Sequence, residues 1–121
     1  MKRRELGIRG EKIARDFLEQ NGYKIIETNY RCSEGEIDIV AQTGDTLVFV
    51  EVRTKSSRSF GTPEESITPV KMKRLNAVAA HYGQNRENLP LSQRIDVLAI
   101  QMEKSGKISR IELIENAVTE S

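Results

Sequence analysis

The segment GEIDIVAQTGDTLVFVEVRTK, from Gly35 to Lys55, holds two apolar runs joined by Gly44-Asp45. The pattern predicts a β-hairpin with strands over Glu36–Gln42 and Thr46–Arg53. It also imposes a constraint, because Asp38 stands inside the first run and Glu51 inside the second. A symmetric loop centred between Gly44 and Asp45 sets Val40 opposite Phe49, Asp38 opposite Glu51, and Glu36 opposite Arg53. Side chains alternate along a strand. Glu36, Asp38, Glu51 and Arg53 therefore share one face, and Ile37, Ile39, Val50 and Val52 share the other. Opposed Cβ atoms lie about 5 Å apart, where two ionised carboxylates among aliphatic side chains repel. A proton on one of them, a cation between them, a neighbouring Arg53 or Lys55, or a shifted register would each relieve that repulsion. Mg²⁺ suits the second option, since it is commonly held by one or two carboxylates while keeping waters or phosphate oxygens.

The rest of the chain reads as one mixed α/β unit. From Leu6 to Asn21, the residues Leu6, Gly10, Ile13, Ala14, Phe17 and Leu18 recur at helical spacing, and Gly22 is a good stop. Gly7 and Gly10 weaken such a helix, which predicts close approach to a sheet. Tyr23–Tyr30 reads as a strand. Ser56–Ser66 reads as a polar loop, with Thr62-Pro63-Glu64-Glu65 marking a helical turn inside it. Thr68-Pro69 opens a second helix with Met72, Leu75, Val78, Ala79 and Tyr82 on one face, ending near Gly83. Asn85–Leu91 is a loop. Ile95–Gln101 and Lys107–Ile114 are two last strands joined through Ser105-Gly106. The order is α-β-β-β-α-β-β, a mixed sheet flanked by helices. At 121 residues, a single domain over 1–121 is expected.

The net charge of +1 hides local asymmetry. Residues 1–15 hold six basic and two acidic side chains, residues 16–52 two and eight, and residues 53–75 six and two. If the outer blocks meet in space, cations flank an acidic centre, which suits a polyanion. Solvated helix faces would give the same counts. The apolar runs are too short to cross a membrane, and the basic N-terminus lacks the apolar stretch of a secretory signal. A single cysteine, Cys32, allows no intrachain disulfide and no cysteine metal cluster, so a cytoplasmic setting is expected.

An acidic residue in one strand of a hairpin followed by Glu-x-Lys in the next resembles the signature of the PD-(D/E)XK nuclease superfamily. Here the match is Asp38 with Glu51-Val52-Arg53. The chain more closely resembles the YraN-type family of bacterial proteins, itself similar to archaeal Holliday junction resolvases. The carriers are G-x-x-G-E at Gly7–Glu11, N-Y-R at Asn29–Arg31, G-E-I-D at Gly35–Asp38, F-V-E-V-R-T-K at Phe49–Lys55 and R-I-D-V-L-A-I at Arg94–Ile100. The resemblance implies a restriction-endonuclease-like fold, Mg²⁺ or Mn²⁺ as cofactor, DNA as partner and, by the resolvase likeness, a homodimer. It implies Asp38 and Glu51 as metal ligands, with Glu11 from the first helix joining them and Glu36 as an additional candidate. Ion pairs of Glu11 with Arg15 and of Glu36 with Arg53 are the structural alternatives.

Position 53 departs from the motif, which has lysine there. Arginine stays protonated and presents a planar fork, so the exchange is not neutral. Three outcomes stay open: Arg53 keeps an electrostatic role, Lys55 supplies the amine, or the protein mainly binds. Arg53 and Lys55 are thus carried as catalytic candidates beside Asp38 and Glu51. Nucleic-acid contacts are expected at Arg9, Arg31, Lys71, Lys73 and Arg74. The last three open the second helix, where cations oppose the helix dipole. His81 reads as a surface or helix-end residue, Tyr82 as core, and Asp96 as an ion-pair partner of Arg94 or Lys71. Three functions fit: a metal-dependent endonuclease acting on DNA, including branched DNA; a nucleic-acid-binding module with little catalysis; and a protein-interaction domain whose carboxylates form an ion-pair cluster.

Overall fold

The computed structural model describes residues 2–56 and 61–119, the side chain of Arg3 apart. Residues 57–60 of the expected polar loop lie outside the described residues. The elements are α1 (Arg3–Gln20), β1 (Lys24–Cys32), β2 (Gly35–Thr43), β3 (Thr46–Ser56), a short 3-10 turn (Pro63–Ser66), α2 (Pro69–Gln84), β4 (Ser92–Met102) and β5 (Ile108–Val118). The order α-β-β-β-α-β-β matches the sequence pattern, in one mixed sheet ordered β1-β2-β3-β4-β5. Strands β1, β2 and β3 form an antiparallel meander. β3 then pairs in parallel with β4, a connection that needs the α2 crossover, and β5 returns antiparallel along β4.

Alternation along β2, β3 and β4 sorts the core into two layers. Ile39, Ala41, Val48, Val50, Leu98 and Ile100 pack with Ala14 and Leu18 of α1. Val40, Leu47, Phe49, Ile95 and Val97 pack with Leu75, Val78 and Tyr82 of α2. The helices therefore cover opposite faces, and the central strands are apolar on both sides, as a parallel β3–β4 pair demands. Thr68 caps α2, its Oγ1 accepting the Lys71 N–H at 3.2 Å, with Pro69 at the first helical position.

Four of the ten strand ends run two to four residues beyond the sequence expectation, because cross-strand pairing carries polar positions that show no apolar alternation. The expected close approach of α1 to the sheet occurs at Gly10, where a Cβ would overlap the Thr54 methyl of β3, and not at Gly7, which has nothing near it. The first and third basic blocks meet at that contact.

A candidate carboxylate site at a split in the sheet

The turn at Gly44-Asp45 fixes the register. Gly44 takes φ +55°, as the first position of a two-residue hairpin turn requires. Counting outward, Thr43 faces Thr46, Val40 faces Phe49, and Ile39 faces Val50. There the β2–β3 ladder stops. β3 continues along β4 as far as Ser56 opposite Met102, while β2 continues along β1 to Gly35 opposite Cys32. The expected pairs Asp38–Glu51 and Glu36–Arg53 are thus replaced by a split whose two lips begin at Asp38 and Glu51. The cause is local: Asp38 Oδ2 accepts the Val52 N–H at 2.7 Å, the donor that a continued ladder would have given to the β2 backbone. The facing pattern changes at the same point. Ile37 joins the α2 layer rather than following Ile39 and Val50 into the α1 layer, so the four-residue apolar face expected from strict alternation is broken.

Glu51 is 4% exposed. Its Oε2 receives Arg53 Nη2 at 2.9 Å and Lys71 Nζ at 3.3 Å. Its Oε1 is buried without a hydrogen-bond partner, and so is Arg53 Nε. A buried carboxylate oxygen with no donor is costly unless a proton or a cation reaches it. Burial, and after it the negative charge of Asp38, push the Glu51 pKa up to about 8, outweighing Lys71 and Arg53. Glu11 is half-buried on α1, held to the sheet by the Gly10–Thr54 contact next to it. Burial raises its pKa, Asp38 adds to this, and Arg15 opposes it. Asp38 on β2 is therefore felt by both Glu11 on α1 and Glu51 on β3.

Glu36 sits at the exposed end of β2, where it pairs with Arg31 at 3.0 Å rather than with Arg53. Among the described residues no three His, Cys, Asp or Glu side chains are gathered closely enough to hold a metal ion. The donor set present is a pair, Asp38 and Glu51, with one orphaned oxygen. That set fits Mg²⁺, which takes one or two carboxylates and completes its shell with water or phosphate. Lys55 Nζ lies 3.9 Å from where a Cβ on Gly61 would stand, at the start of the segment leading to the 3-10 turn.

Beside the split lies a cleft of about 380 Å³, formed where the β1–β2 turn approaches the start of α2. Arg31, Gly35, Glu36, Lys71 and Arg74 line it. Three of the five cations expected to meet nucleic acid thus share one cleft, while Arg9 and Lys73 are exposed on their helices outside it. Lys71 belongs to both places, since it lines the cleft and touches Glu51. Sequence reasoning missed that second contact. The one available signal was a lysine in the first turn of α2, against the dipole. His81 lies in the last turn of α2, as expected, partly exposed and with its Nδ1 2.7 Å from Tyr30 Oη. Tyr82 is core, and Asp96 pairs with Arg94.

Residues 10–100 match the model of "Uncharacterised protein family UPF0102". A UPF0102 protein of Moorella thermoacetica is 45% identical over 97% of this chain and 98% of its own length. One from Dehalococcoides mccartyi is 47% identical over 98% of this chain and 96% of its own length. The chain belongs to the UPF0102 family. A structure titled as Pyrococcus furiosus SfsA in complex with Ca²⁺ is similar at 20% identity and a TM-score of 0.44, covering 97% of this chain and 65% of that chain. No helix among the described residues is long and apolar enough to cross a membrane.

Proposed function

We propose that this UPF0102 protein is a Mg²⁺- or Mn²⁺-dependent endonuclease of the PD-(D/E)XK type, in one restriction-endonuclease-like domain, acting on DNA in the cytoplasm. The observation that carries the reading is Glu51. It is a buried carboxyl with an orphaned oxygen, set beside Asp38 at the split and faced by Arg53 and Lys71. Asp38 and Glu51 hold the cation. When bound, the cation draws charge from the phosphate oxygens and lowers the pKa of an associated water. Glu11 on α1 feels the charge of Asp38 and adds to the negative charge that favours a divalent ion. Arg53 carries a permanent charge whose planar fork can meet two phosphate oxygens. The cleft lined by Arg31, Lys71 and Arg74 supports a polyanionic substrate, whose backbone neutralises cations that stand there without an equal number of acids.

The test is cleavage of linear and four-way branched DNA in Mg²⁺, Mn²⁺ or EDTA. Cutting by the wild type should need the metal and should fall at least 100-fold in Asp38→Asn and in Glu51→Gln, both still folded. Equal cutting by the variants would sink the assignment. A second reading, binding without cleavage, is favoured by arginine at position 53, since the motif's lysine is missing there. It predicts salt-dependent DNA binding and no product under any metal condition.

A further inference from the structure

Lys71 stands between two sites that need its charge. Its Nζ lies 3.3 Å from Glu51 Oε2, inside the carboxylate site, yet the same residue lines the cleft with Arg31 and Arg74. Its backbone is fixed, because its N–H is the one bonded to the Thr68 cap. The side chain is not fixed in the same way. It is 30% exposed, and four rotatable methylenes let the amine leave Glu51 without moving α2. Arg53 is the more committed partner of Glu51, at 2.9 Å and 27% exposed, with its Nε already buried. A divalent ion entering at Glu51 Oε1 would face the Lys71 ammonium across the carboxyl group, and like charges at such range disfavour each other.

We propose that Lys71 is a shared counter-ion: it pairs with Glu51 while no cation is present, and cation entry hands it to a nucleic-acid phosphate in the adjoining cleft. The proposal rests on the nucleic-acid reading above and adds a coupling to it. Metal binding strengthens nucleic-acid binding because it frees a cation, and the nucleic acid strengthens metal binding by the same factor. No cleavage step is required.

The handover is testable without turnover and without metal. At pH 9, where Glu51 is ionised, Glu51→Gln removes the charge that holds Lys71, so in EDTA it should bind a short duplex about fivefold or more tightly than wild type, by fluorescence anisotropy. Its plot of log affinity against log salt should steepen by about one, the mark of one more phosphate contact. Glu51→Gln combined with Lys71→Met should lose both gains, and Glu51→Gln with Lys71→Arg should keep them. Ca²⁺ should give the wild type the same gain, and Lys71→Met should show less than a twofold response to Ca²⁺. Circular dichroism confirms that each variant is folded. A double variant with Lys71→Met that keeps the gain of Glu51→Gln overturns the handover while leaving the nucleic-acid reading intact. So does a Glu51→Gln protein whose affinity is unchanged. Failure of the wild type to bind DNA in any condition overturns the reading itself, and the handover with it.

Discussion

Among the described residues two carboxyl side chains are buried, Asp96 and Glu51, and they are treated in opposite ways. Asp96 is 0% exposed and fully partnered. Arg94 Nε donates to both of its oxygens, at 3.1 and 3.0 Å, and the Asn116 N–H donates to Oδ1 at 3.0 Å. Arg94 is itself held by Tyr23 Oη and Glu115. Burial raises the Asp96 pKa, and its nearest partners, Asn116 and Arg94, pull it back. Burial raises that of Glu51 too, but its strongest neighbour is another carboxylate, which pushes the same way. One cluster is closed. The other is left with an orphaned oxygen beside a like charge, at the place where the sheet splits. A fold that can satisfy one buried carboxyl so fully is not short of donors, and that contrast is what singles out Glu51 for the proposed function.

Three substitutions put that contrast under strain. The largest effect is expected at Asp96. Asp96→Ala leaves the part-buried Arg94 without its main partner and an Asn116 N–H without its acceptor, and should cost about 3–5 kcal/mol in urea unfolding. A loss below about 1 kcal/mol would erase the distinction between the two sites.

The next test is the pH dependence at Glu51. Its folded pKa of about 8 stands above the ordinary value of 4.5, so the folded state holds the proton more firmly than the unfolded chain. That contribution to stability is fully present below pH 4.5 and is lost as pH rises through about 8. The steepest loss is about 1.4 kcal/mol per pH unit for one proton. Glu51→Gln should flatten this part of the profile and be more stable than wild type at pH 9. A profile unchanged by the substitution would show that Glu51 does not titrate there.

The smallest effect, and the opposite sign, belongs to Glu64. Arg110 grips it with two hydrogen bonds, at 2.9 and 2.8 Å, and holds its pKa down to about 2. Its stabilisation is present above pH 4.5 and disappears as pH falls toward 2. The pair is partly exposed, so Glu64→Gln should cost about 0.5–1 kcal/mol at pH 7 and almost nothing at pH 2. Taken together, one acidic loss and one alkaline loss should bracket the stability maximum.

The legible part of the site was the part that local geometry fixes. Gly44-Asp45 allows one count outward, so the pairing from Thr43–Thr46 to Ile39–Val50 follows from the turn alone. The Asp96–Arg94 pair was legible for the same reason, since two positions apart on a strand share a face. The split was not legible. It depends on a side chain, Asp38, outcompeting the β2 backbone for the Val52 N–H, and alternation carries no trace of that contest. The approach of Lys71 to Glu51 was hidden as well, because sequence spacing sets no distance between a helix and a strand that it crosses. Ile37 was misplaced for both reasons together: beyond the split, β2 follows β1 and no longer follows β3.

The split also divides ownership of the two carboxylates. Glu51 rides on β3, which is laced to β4 over eleven paired positions and sits in the middle of the sheet. Asp38 rides on the outer ribbon of β1 and β2, which beyond Ile39 meets β3 through the bond from the Val52 N–H to Asp38. The arrangement works like a pair of callipers. One jaw is laced to the frame, the other is a two-stranded arm seated in the α2 layer through Ile37 and Tyr30, and the 2.7 Å bond from the Val52 N–H to Asp38 joins them. The spacing of the carboxyls is therefore set where two separately seated pieces of the sheet meet, and not by one continuous ladder.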